Sequence, residues 1–181
     1  MHPFDLLLQL DQQLQAAKSQ QAGGSQQRWH GFAYRLRDSF FLSPQEDVRE
    51  VLPVPTVTRI PGAKPWVMGV ANVRGSIYTI VDLAAFLELP PSPESRSRRV
   101  MLFADEKQAV GFLVDDVMGY RSFGSTDQSP KNKSDLPALA PHLLGAFHRY
   151  HDDHNSDTSS AWQVLSLHRL VVSPSFAQAG W

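Results

Sequence analysis

The sequence predicts an all-β protein assembled as small barrels, and three observations carry that prediction. Roughly ten short apolar stretches recur along the 181 residues, several of them with the period of two that a half-buried strand requires. Their spacing is regular and turn residues separate them. The gaps hold single helical turns where an α/β sheet would need long crossover helices.

Residues 1–24 stand apart. Phe4, Leu7, Leu8 and Leu14 fall at helical spacing with Gln and Lys between them, Pro3 suits a first helical turn, and Gly23-Gly24-Ser25 breaks the pattern. This predicts a short amphipathic helix on a tether. A helix so short is marginal unless its apolar face is buried, which favours docking on its own domain over binding a partner.

From Gly31 the period becomes two. Phe32, Tyr34 and Leu36 alternate with Ala33, Arg35 and Arg37, Asp38-Ser39 turns the chain, and Phe40-Phe41-Leu42 completes a hairpin. Pro44–Asp47 reads as a helical turn, Val48–Leu52 as a strand, and Pro53 and Pro55 bracket a crossover to Val57–Ile60. Lys64-Pro65-Trp66 opens another turn. Val67–Val73 and Ile77–Val81 then form a second hairpin about Asn72-Val73-Arg74-Gly75. Gly75 supplies the positive φ of a tight turn, and Arg74 beside it points a long cationic side chain into solvent. Gly69 allows close backbone packing, and Asp82 caps a short apolar helix over Leu83–Leu87.

Pro90–Ser97 is the clearest linker. Strands follow at Arg99–Ala104, Ala109–Val114 and Val117–Phe123. Gly124–Pro141 reads as loop, Leu143–Tyr150 and Trp162–Leu167 as the last strands, and Leu170–Ala177 as helical before or after Pro174.

Composition narrows the function. Seventeen Lys and Arg against 18 Asp and Glu leave a net charge of −1, so no electrostatic pull toward nucleic acid or a membrane surface is expected. There are no cysteines, hence no disulfide or thiolate chemistry, as suits a reducing cytosol. Neither a signal peptide nor a membrane-spanning run is legible. Phosphate-binding, dinucleotide, zinc-hydrolase and nucleophile-elbow motifs are also missing.

Three charged clusters carry the residue types of a site. His148, His151 and His154 with Asp152, Asp153 and Asp157 have the ligand types of a Zn²⁺ or Ni²⁺ site, yet a polar loop gives them no fixed geometry. Solvation is the expectation, and no metal is assigned. Asp115 and Asp116, as strand neighbours, point to opposite faces and cannot share a proton; both are expected to be solvated. Arg96, Arg98 and Arg99 form a basic run without interleaved aromatics, a poor nucleic-acid site.

Several motifs, in order, carry a resemblance. Asp47-Val48-Arg49-Glu50-Val51 is followed by Pro61-Gly62, by Gly69, and by Asn72-Val73-Arg74-Gly75. After these come Ile80-Val81-Asp82-Leu83 and Gly111–Val117. Here the chain resembles the CheW-like family of chemotaxis coupling proteins, and within it the members that serve type IV pilus (twitching) systems. The resemblance covers about three quarters of the chain, roughly residues 30–176. It implies two SH3-like five-stranded barrels side by side, with a groove between them and a linker near 90–97. It also implies a cytoplasmic, cofactor-free, non-enzymatic adaptor at membrane receptor arrays. Its partners would be the helical tip of a methyl-accepting chemoreceptor and the CheW-like regulatory domain of a histidine kinase. By resemblance the receptor-binding residues are Arg74, Val48, Glu50 and Val51, although Val48 and Val51 could equally be barrel core. The alternative is a small β-barrel nucleic-acid module, which the neutral charge disfavours.

Overall fold

In the computed structural model, residues 28–91, 94–105, 107–129, 137–148 and 161–178 are described. They hold ten strands in two five-stranded sheets. The first lobe contains β1 (Trp29–Leu36), β2 (Ser39–Pro44), β8 (Asp116–Phe123), β9 (Leu143–Phe147) and β10 (Trp162–Leu165), in the order β8-β1-β2-β10-β9. The second contains β3 (Val48–Pro53), β4 (Val67–Val73), β5 (Ser76–Asp82), β6 (Arg99–Phe103) and β7 (Val110–Val114), in the order β3-β6-β7-β5-β4. The second lobe is thus inserted whole between β2 and β8 of the first. Each sheet is mostly antiparallel with one parallel pair, β2 with β10 and β5 with β7.

Residues 90–97 join β5 and its following helix to β6, inside one sheet, so they do not separate the lobes. The chain passes between lobes at the 3₁₀ turn Gln45–Asp47 and at the bend after β7.

Three apolar cores follow from strand alternation. Leu42, Phe123, Phe147 and Val164 fill the first barrel, and Tyr78, Ile80, Val100 and Leu102 fill the second. The largest core lies between the lobes. There Tyr34, Leu36 and Phe41 of the first lobe meet Met101, Phe103 and Phe112 of the second. Three short helices seal it: α1 (Leu83–Phe86), α2 (Leu167–Val171) and α3 (Pro174–Ala177). The strand expected to run to Leu167 stops at Leu165 because Ser166 becomes an N-cap, its hydroxyl accepting from the Arg169 amide at 3.1 Å. Pro174 then opens α3 as its first residue, the position where a missing N–H costs nothing.

Two acids are buried, one of them against expectation. Asp115 is buried, where a solvated acid was predicted, and accepts from the Arg37 amide (2.7 Å) and its guanidinium (2.8 and 2.9 Å). Asp47, at the lobe crossing, is also buried and accepts from the Leu167 amide at 2.8 Å and the His168 amide at 3.3 Å. It pins the start of α2 to the crossing, 120 residues earlier in sequence. Of the basic run, Arg98 lies 3.7 Å from Asp82, and Arg99 donates to the carbonyls of Arg96 and Arg98. These contacts make the run structural. The N-terminal segment and His151, Asp152, Asp153, His154 and Asp157 lie outside the described residues. Among the described residues no group of His, Asp and Glu is arranged to hold a metal ion.

Candidate docking site at the second-lobe hairpin

The β4–β5 hairpin is closed by a two-residue loop. Val73 pairs with Ser76, which leaves Arg74 and Gly75 as the turn, with φ of 51° and 89°. Two positive φ values define the I′ geometry that matches the twist of paired strands. The glycine was legible for this reason, whereas the left-handed arginine was not. Asn72, on β4 one residue before Val73, stabilises the bend, its Oδ1 accepting from the Gly75 amide at 2.8 Å.

Arg74 is exposed at 76% of its side chain, yet it is not loose. Its Nη1 donates to Glu50 Oε2 at 2.8 Å and its Nη2 to Oε1 at 2.5 Å, a two-pronged fork on one carboxylate. Glu50 sits on β3, at the opposite end of the strand order from β4. The pair therefore reaches across the mouth of the curled sheet.

A β-bulge aims Glu50 there. Val48 pairs with Phe103 and Glu50 with Leu102, so Arg49 is the extra residue. Alternation restarts after it: Val48 and Val51 pack on the interlobe core, and Leu52 on the barrel interior. Glu50 falls on the side of Leu52, toward the barrel mouth. Of the four residues singled out by resemblance, Arg74 and Glu50 are brought together. Val51 is half-buried beside them in sequence, and Val48 is a core residue at 6% exposure. Ile77, three residues beyond Arg74, is 57% exposed and adds an apolar surface that the sequence did not flag.

The frame around the hairpin is rigid. At Gly69 (φ 142°) a Cβ would lie 2.0 Å from the Thr58 carbonyl oxygen, with which the Val70 amide bonds at 2.8 Å. Asp82 caps α1, accepting from the Ala85 amide at 3.1 Å. On the interlobe seam, Phe32 of β1, Val51 of β3 and Val117 of β8 are half-buried against the shared core. Both lobes thus contribute apolar side chains to one junction.

Buried titratable groups lie away from this surface. Burial pushes the Asp47 carboxyl above the ordinary carboxylate range, against the pull of the His168 amide. It likewise raises the Tyr34 phenol, whose hydroxyl bonds Ser43 at 3.0 Å, and it lowers His142. None of these groups touches the Arg74–Glu50 pair.

The CheW-like domain family matches residues 30–174. The chain belongs to the CheW-like family. It is 36% identical over 176 residues to Protein PilI of Pseudomonas aeruginosa, a match spanning 96% of this chain and 94% of that one. It is 30% identical over 114 residues to Protein FrzA of Myxococcus xanthus, covering 63% and 71% of the two chains. The crystal structure of the scaffolding protein TtCheW from Thermoanaerobacter tengcongensis shares the fold. That comparison gives a TM-score of 0.66 at 19% identity, over 82% of this chain and 96% of that one. Most of the segment preceding the CheW-like domain lies inside the match to PilI, since the match leaves only 4% of the chain uncovered.

Proposed function

We propose that this CheW-like protein is a non-enzymatic adaptor. It joins the cytoplasmic tip of a methyl-accepting chemoreceptor to the CheW-like regulatory domain of a histidine kinase, in a pathway controlling type IV pilus twitching. Coupling of this kind needs binding alone: a receptor state that holds the kinase differently biases its activity. The similarity to PilI supports the pilus assignment, and the cytosol at receptor arrays is where such an adaptor would work.

The observation that carries the receptor side is the Arg74–Glu50 fork. An ion pair this exposed contributes less than about 1 kcal/mol to folding, so its value to the protein lies elsewhere. The fork holds a planar guanidinium in one orientation at a hairpin tip, next to exposed Ile77. A receptor helix can meet that face with a carboxylate or a free carbonyl and an apolar flank. Half-buried Val51 continues the surface toward the interlobe seam, and Val48 supports it from the core.

Arg74→Ala should weaken binding of a soluble receptor-tip fragment by roughly 1–3 kcal/mol, the usual loss for a charge-assisted contact. Arg74→Lys should not restore it, because an ammonium cannot reproduce the fork. Kinase-domain affinity should be unchanged in both. The check is calorimetric titration of each partner against wild type and variants. Equal receptor affinity would remove Arg74 from the site, and loss of both partners would indicate misfolding.

A further inference from the structure

A cleft of about 430 Å³ opens on the far side of the hairpin strands from the second-barrel interior. Its floor is Thr79, Val81 and Val110, and its wall is Trp66 together with Val172 and Phe176 of the C-terminal segment. The Trp66 ring stacks on Phe176 at 5.3 Å and meets Phe86 edge-on at 5.0 Å, so that wall is set by packing. Val172 stands at the rim, 56% exposed. The cleft has the size of a pocket for a helix face or a small apolar ligand.

We infer that the occupant is this chain's own segment Phe4–Leu14, docked as an amphipathic helix. Three observations select it. The first is pattern: Phe4, Leu7 and Leu8 stand at i, i+3 and i+4, the anchor spacing of a helix lying in a groove. The second is charge. Exposed Arg59, Lys64 and Lys107 adjoin the lining residues Ile60, Ala63 and Gln108, and nearby Asp105 is turned onto the Lys107 amide at 2.9 Å. Residues 4–14 carry Asp5 and Asp11 and no basic residue. Exposed cations next in sequence to the lining of an apolar floor would complement a segment with two acids and an apolar stripe.

The third is reach. Arg28, where the described chain begins, is held to lobe one by its Nε donating to Ser122 Oγ at 2.7 Å. The neighbouring Trp29 packs on Phe147, whose strand partner Trp162 starts β10. β10 and α2 then lead to Val172, a path of about 20 Å at ~3.3 Å per strand residue and ~1.5 Å per helical residue. Residues 15–27 can span about 40 Å when extended. The tether is long enough, and it makes docking intramolecular, at an effective concentration no dilute partner matches.

The chain has no cysteine, so two can be placed without interference. In the full-length protein, Leu7→Cys with Val172→Cys should form an intrachain disulfide under mild oxidation. The control pairs Leu7→Cys with Arg121→Cys. Arg121 is exposed and pairs in register with Gly31, close to the tether's anchor. An undocked segment would reach this control site at least as easily. Docking predicts that the Val172 pair closes at least about tenfold faster. Val172 is exposed, so the substitution leaves the core intact, and unchanged thermal melting of each reduced variant confirms folding. Equal rates for the two pairs, or no intrachain product, would overturn the inference. A disulfide between chains only would hand the cleft to a second copy and also overturn it. None of these outcomes bears on receptor binding at Arg74.

Discussion

Two hairpins in this molecule carry the same device with opposite outcomes. In lobe one, the β1–β2 turn begins with Arg37 at φ 58°; in lobe two, the β4–β5 turn begins with Arg74 at φ 51°. Each guanidinium grips a carboxylate from elsewhere in the chain. The Arg37–Asp115 pair is enclosed, at 13% and 10% side-chain exposure, and Arg37 also donates to the Pro90 carbonyl. The Arg74–Glu50 pair is open, at 76% and 29%. Lobe one uses its arginine to fasten the β7–β8 bend and the 90–97 connection onto the hairpin. Lobe two holds its arginine ready at the surface. An ion pair's job follows from its solvent exposure, because water determines both what breaking it costs and what a partner can gain.

The largest expected effect lies in the enclosed pair. Arg37→Ala takes from the buried Asp115 carboxylate the guanidinium that donates to both of its oxygens, and should destabilise folding by about 3 kcal/mol. Urea unfolding measures it, and the matching Arg74→Ala should cost under about 1 kcal/mol. Similar losses at the two sites would mean that exposure is not what separates them.

Asp47 extends the contrast to a buried carboxylate held by backbone amides and a hydroxyl. It accepts from the Leu167 and His168 amides and from the Ser166 hydroxyl, and burial raises its pKa. The native state therefore binds its proton more readily than the unfolded chain does. The penalty this group imposes is fully present above its native pKa. It is relieved as pH falls through that value toward the ordinary carboxylate range. Asp47→Asn keeps an acceptor oxygen and removes the charge. Its stability at pH 7 should be no lower than wild type, and the pH dependence of unfolding below neutrality should lose the rise contributed by this group. A variant less stable at pH 7 would show that the charge on the cap outweighs its burial.

These placements mark what could be read from sequence. The β4–β5 hairpin, its Gly75 and the Asp82 cap were legible because the signals are local: alternation, a turn glycine, and an acid before an apolar helix. The ten strands were countable for the same reason. What escaped depends on contacts between distant residues. Asp115 reads as a strand-end acid until the fold brings Arg37 to it across 78 positions. Asp47 reads as the end of a helical turn until Leu167 arrives. The nesting of one lobe in the other rests on the parallel pairing of β2 with β10, for which the sequence has no mark. At the candidate site, alternation alone would put Val48 and Glu50 on one face, and the bulge at Arg49 separates them into core and surface.

The smallest effect is the sharpest test of the comparison, because one substitution should act with opposite sign in the two turns. Asparagine adopts the left-handed region more readily than arginine, and Asn-Gly is the favoured I′ pair. Arg74→Asn creates that pair in front of Gly75 while giving up only an exposed fork. The backbone gain and the lost ion pair are each below about 1 kcal/mol, so the net change should be a stabilisation of a few tenths. Arg37→Asn receives the same backbone relief but breaks the enclosed pair, and should destabilise by about 2 kcal/mol or more. Thermal or urea unfolding of both variants in one buffer reads the difference directly. Receptor binding supplies the second axis. Arg74→Asn should lose affinity as Arg74→Ala does while folding slightly better, which separates the guanidinium's role in contact from any role in the turn. If Arg74→Asn destabilised the protein as Arg37→Asn does, the open fork would be a structural clasp after all, and the surface at the β4–β5 tip would need another explanation.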